Sequence, residues 1–153
     1  MPARAGSGRG FQVNEAIFGP FFAMMILTLV VWVYMYARRI PFIRSEQLTP
    51  DQLTPLELAR RSPPAVSNPS DNLKNLFEIP TLFYALALYL YVARQADHLY
   101  VAAAWVFVAF RALHSLVHCT VNIVILRFWL YALSSLALWF MIVRAALQFL
   151  SHS

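Results

Sequence analysis

Charge is scarce in this chain, and acidic residues are the scarcest of all. Only 12% of its 153 residues are Asp, Glu, Lys or Arg, whereas 60% are hydrophobic. Soluble domains carry about 25% charged and roughly 45–50% apolar residues. So little charge argues against a soluble domain and predicts an integral membrane protein. The single cysteine, Cys119, excludes an intrachain disulfide.

Long apolar runs stand where the charge is missing. Residues 16–37 exceed the roughly 18–20 residues that cross a bilayer core, and residues 76–93 form a second run. Residues 99–150 are too long for one crossing, since a single helix would extend about 78 Å through a core of about 30 Å. We therefore place a reversal near Arg127. The prediction is one all-α domain over residues 1–153, a four-helix transmembrane bundle with helices at about 14–37, 69–93, 98–126 and 128–150.

The first run lacks the marks of a cleaved signal peptide. A signal has an apolar core of about 7–15 residues and then a small-residue cleavage motif, but this run is longer and continues as YARRIPF. We expect an uncleaved helix after a mobile tail at residues 1–12. Basic residues concentrate in the loop at about 38–68 and near Arg127. The positive-inside rule therefore puts that loop in the cytoplasm.

One apolar stretch, FRALHSLVHCTVNIVILRF at residues 110–128, is unusually polar. On a continuous helix five of its side chains fall within about 100° of arc: Arg111, His114, Ser115, His118 and Asn122. Asn75 and Glu78 share a face of the second predicted helix. Ionisable groups in membrane helices normally face the bundle interior and find a partner. We expect Glu78 to pair with Arg111.

Two interpretations of this polar stripe stay open. Polar contacts between membrane helices are common, so the stripe is also compatible with a non-enzymatic protein whose polar residues only join helices. The excess of cations favours an anionic ligand instead, because only Asp71 and Glu78 oppose them. These cations are Arg38, Arg39, Lys74, Arg111 and Arg127.

Other classes fit less well. The i, i+4 pair His114 and His118 suits a metal, but the chain has only four histidines, and we expect no metal site. Basic and aromatic residues do not interleave outside the apolar runs, so no nucleic-acid partner is expected. The paired, Gly/Pro-interrupted helices of broken-helix transporters are not expected either.

The motifs NLFEIP and RALHSLVHCTVN, followed by RF, resemble those of the MAPEG family, the membrane-associated proteins in eicosanoid and glutathione metabolism. The resemblance is to bacterial members and covers about residues 16–150. It implies a homotrimer in the inner membrane, with glutathione as co-substrate bound between subunits in the cytoplasmic half. It also implies a glutathione-dependent transferase or peroxidase for lipophilic electrophiles that enter from membrane lipid.

The resemblance also assigns roles to residues. Arg127 matches the arginine that stabilises the glutathione thiolate. The positions matched to glutathione binding are Arg38, Lys74, Asn75, Glu78, Arg111, His114, His118 and Tyr131. Trp129, Trp139 and Phe140 would line the path of the lipophilic substrate. Lys74, Asp71, His118 and Phe128 depart from the pattern of eicosanoid-making members, which argues against prostaglandin or leukotriene chemistry.

Overall fold

The computed structural model describes residues 12–152, without the side chain of residue 152. The predicted tail therefore lies outside the described residues, except for Gln12. All regular structure in the described part is helical. The helices are α1 (Phe18–Ser45), α2 (Pro55–Arg61), α3 (Pro64–Leu76), α4 (Ile79–Val92), α5 (His98–Cys119) and α6 (Val124–His152), with a 3-10 turn at Pro50–Leu53 before α2.

Four helical segments of the described chain are long and apolar enough to cross a membrane, which confirms the prediction of four spans. They are Gln12–Ser45, Pro64–Val92, His98–Cys119 and Val124–Ser151. Large apolar side chains on their outer faces are exposed, as lipid contact requires. The protein is an integral membrane protein.

The first helix does not end at residue 37 as predicted. Helix α1 continues to Ser45, because α3 packs along its last turns and gives its arginines partners there. Arg39 donates to the Ser70 hydroxyl, and the Nε of Arg38 donates to the carbonyl of Ala65 at 3.4 Å. The predicted loop at 38–68 is therefore largely helical, with α2 and the start of α3 inside it.

The second span is broken between α3 and α4, at Phe77 and Glu78. Pro80 has no N–H to offer the carbonyl of Leu76, and its ring would collide with that carbonyl in a continuous helix. Glu78 becomes the residue before α4, and its carbonyl accepts the amide and the hydroxyl of Thr81 at 3.1 and 2.6 Å. The prediction of one unbroken helix at 69–93 is wrong for this reason.

The third span is shorter than the predicted 98–126. Helix α5 ends at Cys119, where the backbone N–H of Asn122 donates to the carbonyl of Val117 at 2.8 Å. Asn122 has a φ of 50°, in the left-handed region that Asn enters more readily than most residues. It therefore belongs to the turn before α6 and not to the polar stripe of α5.

Helix α5 runs through the centre of the bundle. Phe107 of α5 and Phe83 of α4 are fully buried and stacked, with ring centroids 4.7 Å apart. Met24 of α1 and Leu138 of α6 are also fully buried in this core. Lipid tails are as apolar as these side chains, so close packing and interhelical polar contacts hold the helices together.

The end of the bundle at the start of α5 is closed by an ion pair. Asp97 caps α5 by accepting the amides of Leu99 and Tyr100 at 3.1 and 3.0 Å. It also receives two bonds from the Arg144 guanidinium, at 2.8 and 2.5 Å. That guanidinium lies 4.2 Å from the centroid of the Tyr100 ring. The hydrogen bond from Arg144 is the main reason why the pKa of Asp97 falls to about 2.

Candidate functional site

The opposite end of the bundle holds a group of polar residues that we call the cation cluster, namely Arg111, His114, His118, Arg127 and Tyr131. Equal numbers of residues separate Asp97 from His114 on α5 and Arg144 from Arg127 on α6. At about 1.5 Å per residue, His114 and Arg127 therefore each lie about 25 Å from the ion pair between Asp97 and Arg144. The cluster is therefore near the far edge of a hydrocarbon core of about 30 Å.

Arg111 lies at the centre of this cluster and is completely buried. Its guanidinium carbon is 4.6 Å from the ring centroid of Tyr131 and 5.5 Å from that of Phe107. No carboxylate in residues 12–152 forms an ion pair with it. Aromatic faces offset part of the cost of burying a cation but leave its charge in place.

The predicted ion pair between Glu78 and Arg111 is wrong. The helix break before Pro80 leaves Glu78 exposed at the start of α4, whereas Arg111 is enclosed among helices. The prediction assumed a continuous second helix, on which Glu78 would have pointed into the bundle.

The two histidines of the cluster are buried between α5 and α6. The Nδ1 of His114 donates to the carbonyl of Arg127 at 3.0 Å, because a carbonyl oxygen can only accept. The ring of His118 meets that of His114 edge-on, with centroids 5.5 Å apart. His114 therefore links the start of α6 to α5. Within the described residues, no group of three His, Cys, Asp or Glu side chains is placed to hold a metal.

Arg127 is half-buried, and its charge faces neutral partners. Its Nη1 donates to the side-chain oxygen of Asn122, and its Nε is buried with no hydrogen-bond partner in the described chain. Asn122 in turn donates to the side-chain oxygen of Asn68 on α3 at 3.1 Å. The guanidinium is thus oriented without being neutralised.

A second feature is a groove of about 650 Å³ between α1 and the α3–α4 break, which we call the α1–α3 groove. It is lined by Met35, Arg39, Ser70, Leu73, Lys74, Phe77 and Glu78. The Nε of Arg39 is buried there without a hydrogen-bond partner in residues 12–152. Lys74 forms an exposed ion pair with Asp71 at 2.9 Å. The groove thus offers two cations and one carboxylate.

The structure places most of the predicted site residues in two groups and leaves Arg38 and Asn75 outside both. Lys74 and Glu78 line the α1–α3 groove, and Arg111, His114, His118, Arg127 and Tyr131 form the cation cluster. Arg38 lies apart from the groove. Its Nε donates to the carbonyl of Ala65, and its guanidinium carbon is 6.0 Å from the Tyr34 ring centroid. Asn75 is half-buried on the last turn of α3.

Sequence reasoning missed three polar residues that the structure brings to this end, namely Asn68, Ser70 and Asn72, and it named Arg39 as a cation of this layer without assigning it to the site. Arg39 and Ser70 meet at the α1–α3 groove. Asn68 supports Asn122, and the fully buried Asn72 accepts the Ser115 hydroxyl at 3.3 Å. Asn68, Asn72 and Asn75 follow helical spacing. The spacing was present in the sequence, but the helix was predicted to begin only at residue 69, which left Asn68 outside it.

Comparison with known families agrees with the motifs on which this site is built. The model of the MAPEG family matches residues 17–147 of the 153. Comparison with curated proteins and with solved structures gives no match. The family match extends over most of all four spans and includes both parts of the site. The chain therefore belongs to the MAPEG family, the membrane-associated proteins in eicosanoid and glutathione metabolism.

Proposed function

We propose that this protein is a glutathione-dependent transferase or peroxidase that acts on lipophilic electrophiles in the membrane. One observation carries the proposal. Near one edge of the membrane, Arg111 and Arg127 have no carboxylate partner among the described residues. Uncompensated cations in a low-dielectric layer are costly unless they serve a bound anion.

The α1–α3 groove suits the charges of glutathione, which carries two carboxylates and one ammonium group. Arg39 and Lys74 would bind carboxylate, and Glu78 would bind the ammonium group. The buried Nε of Arg39, which has no hydrogen-bond partner in the described chain, is a donor ready for such an anion. We assign Asn75, Arg38 and Tyr131 to glutathione binding from the family resemblance.

Arg127 would stabilise the thiolate of the bound glutathione. A thiol with a pKa near 8.5 is only a few per cent ionised at neutral pH, and a nearby cation in a low-dielectric site raises that fraction. Arginine stays protonated, so Arg127 acts through its charge and not as a base. In the transferase reaction the resulting thiolate attacks the electrophilic carbon, and the thioether bond forms as the leaving group departs. In the peroxidase reaction the thiolate attacks the peroxide oxygen and releases an alcohol, and a second glutathione converts the sulfenic acid to the disulfide and water.

We further propose that the chain assembles as a homotrimer in a bacterial inner membrane, with the α2 side in the cytoplasm. Exposed Glu78 and half-buried Asn75 would then meet a neighbouring subunit. Trp129, Trp139 and Phe140 are all exposed on the outer surface of α6. Aromatic surface of this kind fits a lipophilic substrate that arrives sideways from the bilayer.

Calorimetry on the purified protein in lipid nanodiscs tests the proposal. Glutathione is titrated beside S-methylglutathione, which keeps both carboxylates and the ammonium group but has no ionisable thiol. We expect glutathione to bind more tightly, and to be consumed with 1-chloro-2,4-dinitrobenzene or with cumene hydroperoxide. Absence of binding at millimolar glutathione would instead support the non-enzymatic alternative, in which the polar residues only join helices.

A further inference from the structure

The turn between α5 and α6 is built around one asparagine. Asn122 has a φ of 50°, a conformation that is costly for most residues with a side chain but tolerated by Asn and free for Gly. Its backbone N–H donates to the carbonyl of Val117, a hydrogen bond that ends α5. The backbone alone therefore explains Asn or Gly at this position, and leaves the side-chain amide to be explained.

That side-chain amide links two other elements. Its oxygen accepts a hydrogen bond from the Nη1 of Arg127 on α6, and its nitrogen donates to the side-chain oxygen of Asn68 on α3 at 3.1 Å. A guanidinium can only donate, so Arg127 requires the side-chain oxygen of Asn122 as its acceptor, which leaves the side-chain nitrogen of Asn122 to donate to Asn68. The oxygen of Asn122 is thereby directed at the guanidinium.

The neutrality of this partner has an electrostatic consequence. A carboxylate at the same place would bind the guanidinium more strongly, but it would also cancel most of the field that the cation exerts on a nearby group. Arg144 shows that alternative on the same helix, where both guanidinium bonds go to Asp97. Arg127 keeps a defined direction together with its full charge.

We propose that Asn122, held by Asn68, is a positioning residue that directs the Arg127 guanidinium at the bound thiol while leaving its charge uncompensated. The inference rests on the proposed function, since it concerns the group that Arg127 stabilises. It adds two residues that act through Arg127 and not by contact with substrate.

Two substitutions at Asn122 separate charge from geometry. Asn122→Gly keeps the left-handed backbone and removes the acceptor, whereas Asn122→Asp keeps an acceptor and adds a negative charge. Asn68→Ala leaves the sequence of the turn unchanged and removes the hydrogen-bond acceptor of the Asn122 side-chain nitrogen. The readout is the ultraviolet absorbance of the thiolate of bound glutathione, followed against pH in nanodiscs, with thermal melting recorded for each variant.

We expect Asn122→Asp to raise the midpoint of thiol ionisation by about one pH unit, which lowers the thiolate fraction and kcat at neutral pH by up to about tenfold. The KM for glutathione should change little. Asn122→Gly and Asn68→Ala should raise the midpoint less, through loss of orientation alone.

An unchanged midpoint in a well-folded Asn122→Asp variant overturns the inference, and so does an equal shift in Asn122→Asp and Asn122→Gly. If the variants at Asn122 fail to fold, Asn68→Ala decides in the same way: a raised midpoint supports the inference and an unchanged one refutes it. Absence of a thiolate signal in the unmodified protein would instead show that the proposed function is wrong.

Discussion

Helix α6 carries one arginine near each end, and the two have opposite surroundings. Arg144 gives two hydrogen bonds to the carboxylate of Asp97 and lies against the Tyr100 ring. Arg127 donates to the neutral side chain of Asn122 and has a buried Nε without a partner in the described chain. A neutralised arginine joins helices, whereas one that keeps its charge is available to a ligand. The comparison distinguishes an end of the bundle where the arginine is neutralised from an end where it is not, and the second is the end where we propose that glutathione binds.

The largest expected effect comes from the uncompensated end. Arg127→Leu should lower turnover with a chloronitrobenzene by one to two orders of magnitude, at or below the roughly 10²–10³-fold loss that follows removal of one oxyanion-hole donor. Thermal melting in nanodiscs should change little, because a cation without a carboxylate partner contributes little to the fold. Equal turnover in a folded variant would exclude Arg127 from the mechanism.

At the neutralised end we expect the reverse pattern. Asp97→Ala removes the cap of α5, worth about 1 kcal/mol, and a partly exposed ion pair, worth about 1 kcal/mol. The free energy of unfolding should fall by about 2 kcal/mol, with turnover of the folded protein retained. A turnover loss as large as that of Arg127→Leu would mean that the two ends are not functionally distinct.

Asp97 also predicts how stability depends on pH. Its pKa is lowered from 3.8 to about 2, mainly by the hydrogen bond from Arg144. The stabilisation is therefore complete above about pH 4 and is lost as pH falls through about 2. Because the Asp97 side chain is 45% exposed, the loss should be only about 1 kcal/mol. Melting curves across this range should show it in the unmodified protein, and Asp97→Asn should abolish it.

The smallest effect should distinguish two adjacent arginines at the end where we propose that glutathione binds. Arg39→Leu removes a guanidinium that lines the α1–α3 groove, whereas Arg38→Leu removes one that bonds to the Ala65 carbonyl. We expect glutathione affinity to fall about fivefold in Arg39→Leu, a typical value for one exposed charged contact, and less in Arg38→Leu. Calorimetry on both variants would show the reverse order if Arg38, and not Arg39, makes the main contact with a glutathione carboxylate.

The sequence predicted the four spans because long apolar runs depend only on composition and length. It also placed Arg111, His114 and His118 on one face, since helical spacing alone decides that. These three side chains are buried together in the structure.

Local backbone geometry limited the rest of the prediction. Pro80 breaks the second span and exposes Glu78, which removed the expected pair with Arg111. The left-handed turn at Asn122 cannot be read from apolar periodicity, because the hydrophobic pattern continues through it. The extension of α1 to Ser45 depends on packing by α3, which is a tertiary contact. In each case a contact or a turn overrode the pattern of hydropathy.

The central claim is that Arg127 keeps its charge for the glutathione thiolate. Thiolate absorbance of bound glutathione, measured against pH in nanodiscs, tests it most directly, with Asp97→Asn as the control at the opposite end. We predict that the ionisation midpoint lies below that of free glutathione in the unmodified protein and in Asp97→Asn, and returns toward the free value in Arg127→Leu. A midpoint that is the same in all three proteins would contradict the account.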